Sequence, residues 1–170
     1  YRAFQFLKLN NLSMYRMIKA TGQKNQFQFN KVLHDFGIKI EQELKPHLDE
    51  LFNTTLEKRS DDIFDIIDFT DNKNIQVEVK GRTCSSDAWE ETIVTMGKIV
   101  EIEMLYEEQP ELEAYIFFVF TDKTMYLKMP RERPDWKVRF TGSFGVKHLL
   151  IPVKALTEFE GVEIKSNQVS

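Results

Sequence analysis

Glu78 and Lys80 stand two residues apart in "NIQVEVKGRT" (74–83), where Ile75, Val77 and Val79 alternate with Gln76, Glu78 and Lys80. A period of two marks a half-buried strand and puts the carboxylate and the ammonium on one face. A carboxylate is a hard oxygen ligand for a divalent cation, and an ammonium can offset phosphate charge or position a proton. The same pair is also common on solvated strand faces, so its partners decide what it does.

The nearest partner is in "DDIFDIIDF" (61–69), followed by an Asp/Asn-rich turn. Closure through a two-residue Asp71-Asn72 loop, or a four-residue Thr70–Lys73 loop, sets Asp65 across from Glu78. The same register pairs Asp68 with Ile75 and turns it to the other face. Opposed carboxylates destabilise a sheet, and Asp65 sits among Ile63, Ile67 and Phe69, where desolvation adds to the cost. Lys80 offsets part of that repulsion, and a bridging Mg2+ or Mn2+ would offset more. A solvated polar face remains an equal alternative on the pattern alone.

A second acid comes from "GIKIEQELKPHLDELF" (37–52). On a helical wheel Leu44, Leu48, Leu51 and Phe52 gather within an arc of about 100°. Glu41 lies at the edge of that arc and Glu43 on the far side. An inward Glu41 needs a partner, which could equally be an acid-and-metal cluster or a lysine at the rim.

"FDIIDFTDNKNIQVEVKG" resembles the signature of the PD-(D/E)xK nuclease superfamily, and its Asp65-to-Glu78 separation of 13 is most similar to the Holliday junction resolvase branch. "GIKIEQEL" is similar to the helix that carries the family's first acid, which selects Glu41. The resemblance covers about residues 37–129 and implies a restriction-endonuclease-like αβββαβ core. It also implies Mg2+ or Mn2+ held by Asp65, Glu78, the Val79 carbonyl and Glu41, with Lys80 positioning the attacking water. The implied reaction is endonucleolytic hydrolysis of DNA, structure-specific where the resolvase branch is the guide; a viral-type RNA endonuclease of the same fold and a silent nucleic-acid-binding domain are the alternatives. Phe64 departs from the family, which usually has proline there, so Asp61, Asp62 and Asp68 still compete for the role given to Asp65. Restriction enzymes and resolvases cut two strands as dimers, so a homodimer is implied as well.

Net charge is −4, which argues against a chain that coats nucleic acid indiscriminately. The basic residues are concentrated, however. Between Asp122 and Lys154 eight Lys/Arg face three acids, leaving the rest of the chain at −9. Arg131, Arg133, Lys137 and Arg139, interleaved with Trp136, could form a phosphate-binding loop, with Trp136 either a stacking platform or a packing residue. Arg82, Thr83 and Lys98 are further candidates for the backbone near the scissile phosphate, or ordinary surface residues. Cys84 is the only cysteine, so no internal disulfide forms and a reducing, intracellular compartment fits, as would a phage or viral source. The histidines lack zinc-site spacing. No apolar run approaches the roughly 20 residues needed to span a bilayer, so no membrane partner is expected.

These residues must be carried by an α/β fold with a mixed central sheet flanked by helices. The pattern predicts a single domain over 1–170, with a helical extension over 1–30 and a core over 37–129. A basic loop and late strand occupy 130–156, and a loose tail 160–170. Within it, a helix over 27–53 is kinked or broken at Pro46, and a long helix over 85–109 is capped by Ser85 or Ser86. Strands are expected at 61–69, 74–80, 112–122 and 124–129. Residues 131–146 read as an ordered loop region with room for a short strand, and 147–156 as a final strand followed by a turn or short helix.

Overall fold

The structure, a computed structural model, describes residues 31–59, 67–141 and 146–165. The chain divides after Leu33, and apart from the first residues of the leading helix every element below belongs to the unit His34–Ser170. That helix, α1 (Lys31–Phe52), buries Ile40, Leu44 and Leu48, spaced four apart along one stripe. The predicted break at Pro46 does not occur: the helix continues through it. Pro46 and Gln42 are both exposed, so water can reach the Gln42 carbonyl that proline leaves without a donor.

Among the described residues six strands form the main sheet, in the order β1-β2-β3-β5-β6-β9. These are β1 (Glu57–Lys58), β2 (Phe69–Thr70), β3 (Ile75–Gly81), β5 (Glu113–Val119), β6 (Thr124–Lys128) and β9 (Thr157–Glu158). β3 and β5 run parallel over seven residue pairs, and the other neighbours are antiparallel. The sheet is therefore mixed, as the sequence implies. A second sheet has the order β4-β8-β7, from β4 (Glu91–Thr95), β7 (Val138–Thr141) and β8 (Val146–Pro152). The second α-helix among the described residues, α2 (Met96–Glu108), follows β4 directly.

The long helix expected over 85–109 is thus corrected to strand β4 and the shorter α2. Thr92, Ile93, Val94 and Thr95 are all β-branched, a run that loses side-chain freedom in a helix and suits a strand paired with β8. Ser86 caps no helix; its amide and hydroxyl both bond to Asp122, at 2.7 and 2.6 Å.

Two apolar layers enclose the main sheet. On one face Ile40, Leu44 and Leu48 of α1 pack with Phe69, Val77, Val79 and Phe117. On the other, Ile99, Ile102 and Leu105 of α2 pack with Ile116, Phe118, Val94, Leu149 and Ile151. Ile164 joins the α1 side, with Phe159 and Val162 against it, so the loose tail expected from residue 160 is corrected as far as Lys165. Residues 166–170, the predicted extension over 1–30 and most of the predicted strand 61–69 lie outside the described residues. At the end of β3 a Cβ on Gly81 would stand 2.6 Å from Ile40 Cδ1, so glycine there lets α1 sit close against the strand that carries Glu78.

The turn between β2 and β3 is fixed by its own side chains. Asp71 Oδ1 accepts from the amides of Lys73, Asn74 and Ile75 at 2.9, 3.0 and 2.8 Å, and Thr70 Oγ1 accepts from Asn72 at 3.0 Å. Asn72 adopts a left-handed conformation, φ 60°, which asparagine tolerates well. The three amides hold the Asp71 carboxyl below its ordinary range despite some opposing burial. Its stabilisation is therefore present above the ordinary carboxylate pKa and lost as pH falls through the lower folded value. Asp71→Ala is expected to cost about 1–2 kcal/mol at neutral pH, read by urea denaturation, and the deficit should shrink in acid.

Candidate functional site

The Asp71 turn decides which acid meets Glu78. Both even-numbered loops considered from the sequence are corrected: Phe69 pairs with Val77 and Thr70 with Gln76, three residues out of the expected register. Continued one step, this pairing brings Asp68 beside Glu78 instead of Ile75. The regular ladder ends there. The Asp68 amide bonds to the Val77 carbonyl at 3.0 Å, and its carboxylate Oδ2 accepts from the Val79 amide at 2.6 Å. Asp65, with Asp61 and Asp62, lies outside the described residues.

β3 is buried on both faces, not half-solvated. Val77 and Val79 meet the α1 layer, while Gln76 and Glu78 face α2. Glu78 is 0% exposed. Lys80, on the same face, and Lys98, from the first turns of α2, both bring their ammonium groups against Glu78 Oε1. Neither carboxylate oxygen has an aligned hydrogen-bond partner among the described residues. Burial, then the charge of Asp68, pushes the Glu78 carboxyl up to about 7, against the pull of both lysines. Burial works to lower both ammonium groups. It prevails at Lys98, whose pKa falls, while Glu78 and Asp68 outweigh it at Lys80, whose pKa rises.

Glu41 reaches the edge of this group from α1. Its side chain is 17% exposed and lies 3.3 Å from Lys58 Nζ. Burial followed by Asp68 raises its carboxyl, with Lys58 and Lys80 opposing. The helical stripe thus placed Glu41 at the margin of the core, and Lys58 gives it the rim partner. Glu43, expected in solvent, is half-buried. The charge of Asp68 contributes at Glu41, Glu78, Lys80 and Lys98, behind burial at each and behind the Glu78–lysine contacts at Glu78, Lys80 and Lys98. Among the described residues no three His, Cys, Asp or Glu side chains are assembled so as to hold a metal ion.

The remaining candidates separate by position. Arg82 is folded inward, donating from Nε to Thr92 Oγ1 at 3.0 Å and lying over the Phe118 ring. It ties β3 to β4, and burial lowers its pKa. Thr83 is exposed beside it. Arg131 clasps the end of α2, stacking 4.6 Å from the Tyr106 ring and donating to the Leu112 carbonyl at 2.9 Å. Arg133 pairs with Glu103 at 3.4 Å, and Lys137 stands 3.8 Å from Glu91. Trp136 is half-buried against the α2 layer, the packing role of its two alternatives. Arg139 is exposed on β7.

The sequence named Lys98 only as a candidate for backbone contact; its place against Glu78 was missed. The signal was there in the spacing: Lys98, Ile102 and Leu105 fall at i, i+4 and i+7, the inward stripe of α2. Comparison with family models, with curated proteins and with solved structures finds no match to the chain. No helix among the described residues is long and apolar enough to cross a membrane.

Proposed function

We propose that this chain is a metal-dependent endonuclease of the PD-(D/E)xK kind, hydrolysing phosphodiester bonds in nucleic acid, with DNA favoured over RNA. The reading is carried by one observation, the fully buried Glu78 in contact with two ammonium groups and in the field of Asp68. Such a cluster stabilises a fold poorly compared with apolar side chains of the same volume, so its presence in the core argues for chemistry. The order α1, β1, β2, β3, β4, α2, β5, in which β4 belongs to the second sheet and β3 runs parallel to β5, is compatible with an αβββαβ core for the main sheet.

Glu78 offers two carboxylate oxygens without an aligned hydrogen-bond partner among the described residues, and Asp68, Glu41 and the Val79 carbonyl are further hard-oxygen donors. As placed, no three acids among the described residues are gathered around one point, so a divalent cation would have to draw them together. Those residues would hold Mg2+ or Mn2+, which supplies an acidified water and charge stabilisation when bound. Lys80 and Lys98, released from Glu78 as a phosphate arrives, would compensate its negative charge. Asp68 orients β3 through the Val79 amide, and Arg82 fixes the strand end beyond Lys80.

The test is cleavage of branched, duplex and single-stranded DNA and of RNA with Mg2+ or Mn2+. Lys80→Ala is expected to slow cleavage by about 10²–10³-fold, the usual cost of one charge-stabilising group. An RNA-only product pattern would move the substrate to RNA. Absence of cleavage on every substrate, or full activity in Lys80→Ala, would remove the reading.

A further inference from the structure

β7 and β8 pair as a hairpin whose described strands run from the core to exposed residues. Val138 pairs with Leu149, which pairs with Val94 in the buried layer, so the hairpin is anchored at that end. Beyond it Phe140 is 63% exposed, Val138 48% and Val146 44%. Phe140 lies opposite Lys147, whose ammonium stands 5.3 Å from the ring. Arg139 lies opposite His148 and, by strand alternation, on the other face. From Trp136 to Thr157 the sequence contains Lys137, Arg139, Lys147 and Lys154 and no acid, in a chain of net charge −4. β7 is also the edge of its sheet.

An exposed aromatic ring and two valines on an acid-free, cationic hairpin match a ligand that is anionic along its length and flat where it is apolar. We propose that the β7–β8 hairpin is an arm that takes up an unpaired stretch of nucleic acid. Phe140 stacks on a base, while Lys147 and Arg139 meet phosphates on the two faces of the hairpin. Stacking needs an accessible base, so single-stranded or branched substrates bind better than closed duplex. Cations on both faces can meet two backbones at once, as a branch point presents them. The arm deepens the nuclease reading and rests on it for the class of partner, but it requires no cleavage chemistry.

The experiment is fluorescence anisotropy of the full chain with a labelled mixed-sequence single strand and the matching blunt duplex. EDTA is present to prevent cleavage, and phosphatidylserine vesicles serve as a third ligand. Single strand is expected to bind more tightly than duplex. Phe140→Ala and Phe140→Leu are expected to weaken single-strand binding about 5- to 100-fold. Arg139→Gln and Lys147→Gln should each reduce the steepness of log K against log salt by about 0.7. Circular dichroism melts check that these surface variants fold. Unchanged binding in all four variants overturns the arm, even where Mg2+-dependent cleavage is intact. Hairpin-dependent binding without cleavage supports the arm and overturns the nuclease reading. Hairpin-dependent capture by vesicles with no oligonucleotide binding overturns the arm, as does a hairpin-dependent dimer in sedimentation with oligonucleotide binding unchanged.

Discussion

Glu78→Ala is expected to abolish cleavage and to destabilise the fold by about 2–4 kcal/mol, because it leaves the half-buried Lys80 and Lys98 together without their anion. The informative comparison is the triple variant Glu78→Leu, Lys80→Met, Lys98→Met. It removes every charge of the contact and keeps most of the volume. Buried ion clusters replaced in this way are often neutral or more stable by about 1–4 kcal/mol. A triple variant as stable as the parent, or more so, with no cleavage, means that the core gives up stability to keep these charges. Urea denaturation and the cleavage assay on the same preparations read both effects. A triple variant several kcal/mol less stable would make the cluster structural, and the functional argument from Glu78 would fall.

How much of this was visible in the sequence depends on whether local pattern or tertiary context decides each element. Leu44, Leu48 and the position of Glu41 followed from helical period, because α1 has one buried side, but Leu51, placed on the same arc, is 43% exposed and Ile40 completes the buried stripe instead. β3 was legible as a strand from its alternation. That its polar face is also buried was not, since alternation describes one face and α2 covers the other. β4 was lost inside a helical reading because Ser85, Asp87 and the following acids resemble a helix start. The β-branched run from Thr92 to Thr95 outweighs them once β8 offers hydrogen bonds. The hairpin register failed at one point: Asp71 binds three amides and sets an odd turn, whereas only even loops had been counted. Parity turns such an error into a different choice of acid.

The substitution that tests this choice is Asp68→Asn. Asparagine keeps an oxygen that can accept from the Val79 amide, so the end of the β2–β3 ladder is preserved and stability should change little. The charge that acts on Glu41, Glu78, Lys80 and Lys98 is lost. Cleavage is therefore expected to fall by about 10²–10³-fold at unchanged fold, since removal of one preorganised charge at a reacting phosphate has that order of effect. Asp68→Ala should show the same loss of activity and, in addition, a cost of about 1–3 kcal/mol for the Val79 amide left without its acceptor. The gap between the two variants in urea denaturation measures the structural share of Asp68, and their common loss of cleavage measures the functional share. Asp65→Asn is the companion variant, because Asp65 is the acid that the sequence register set across from Glu78, and if Asp68 carries the role it is expected to retain cleavage within a few-fold. Wild-type cleavage in Asp68→Asn together with loss in Asp65→Asn would return the acid to the position that the sequence resemblance first implied.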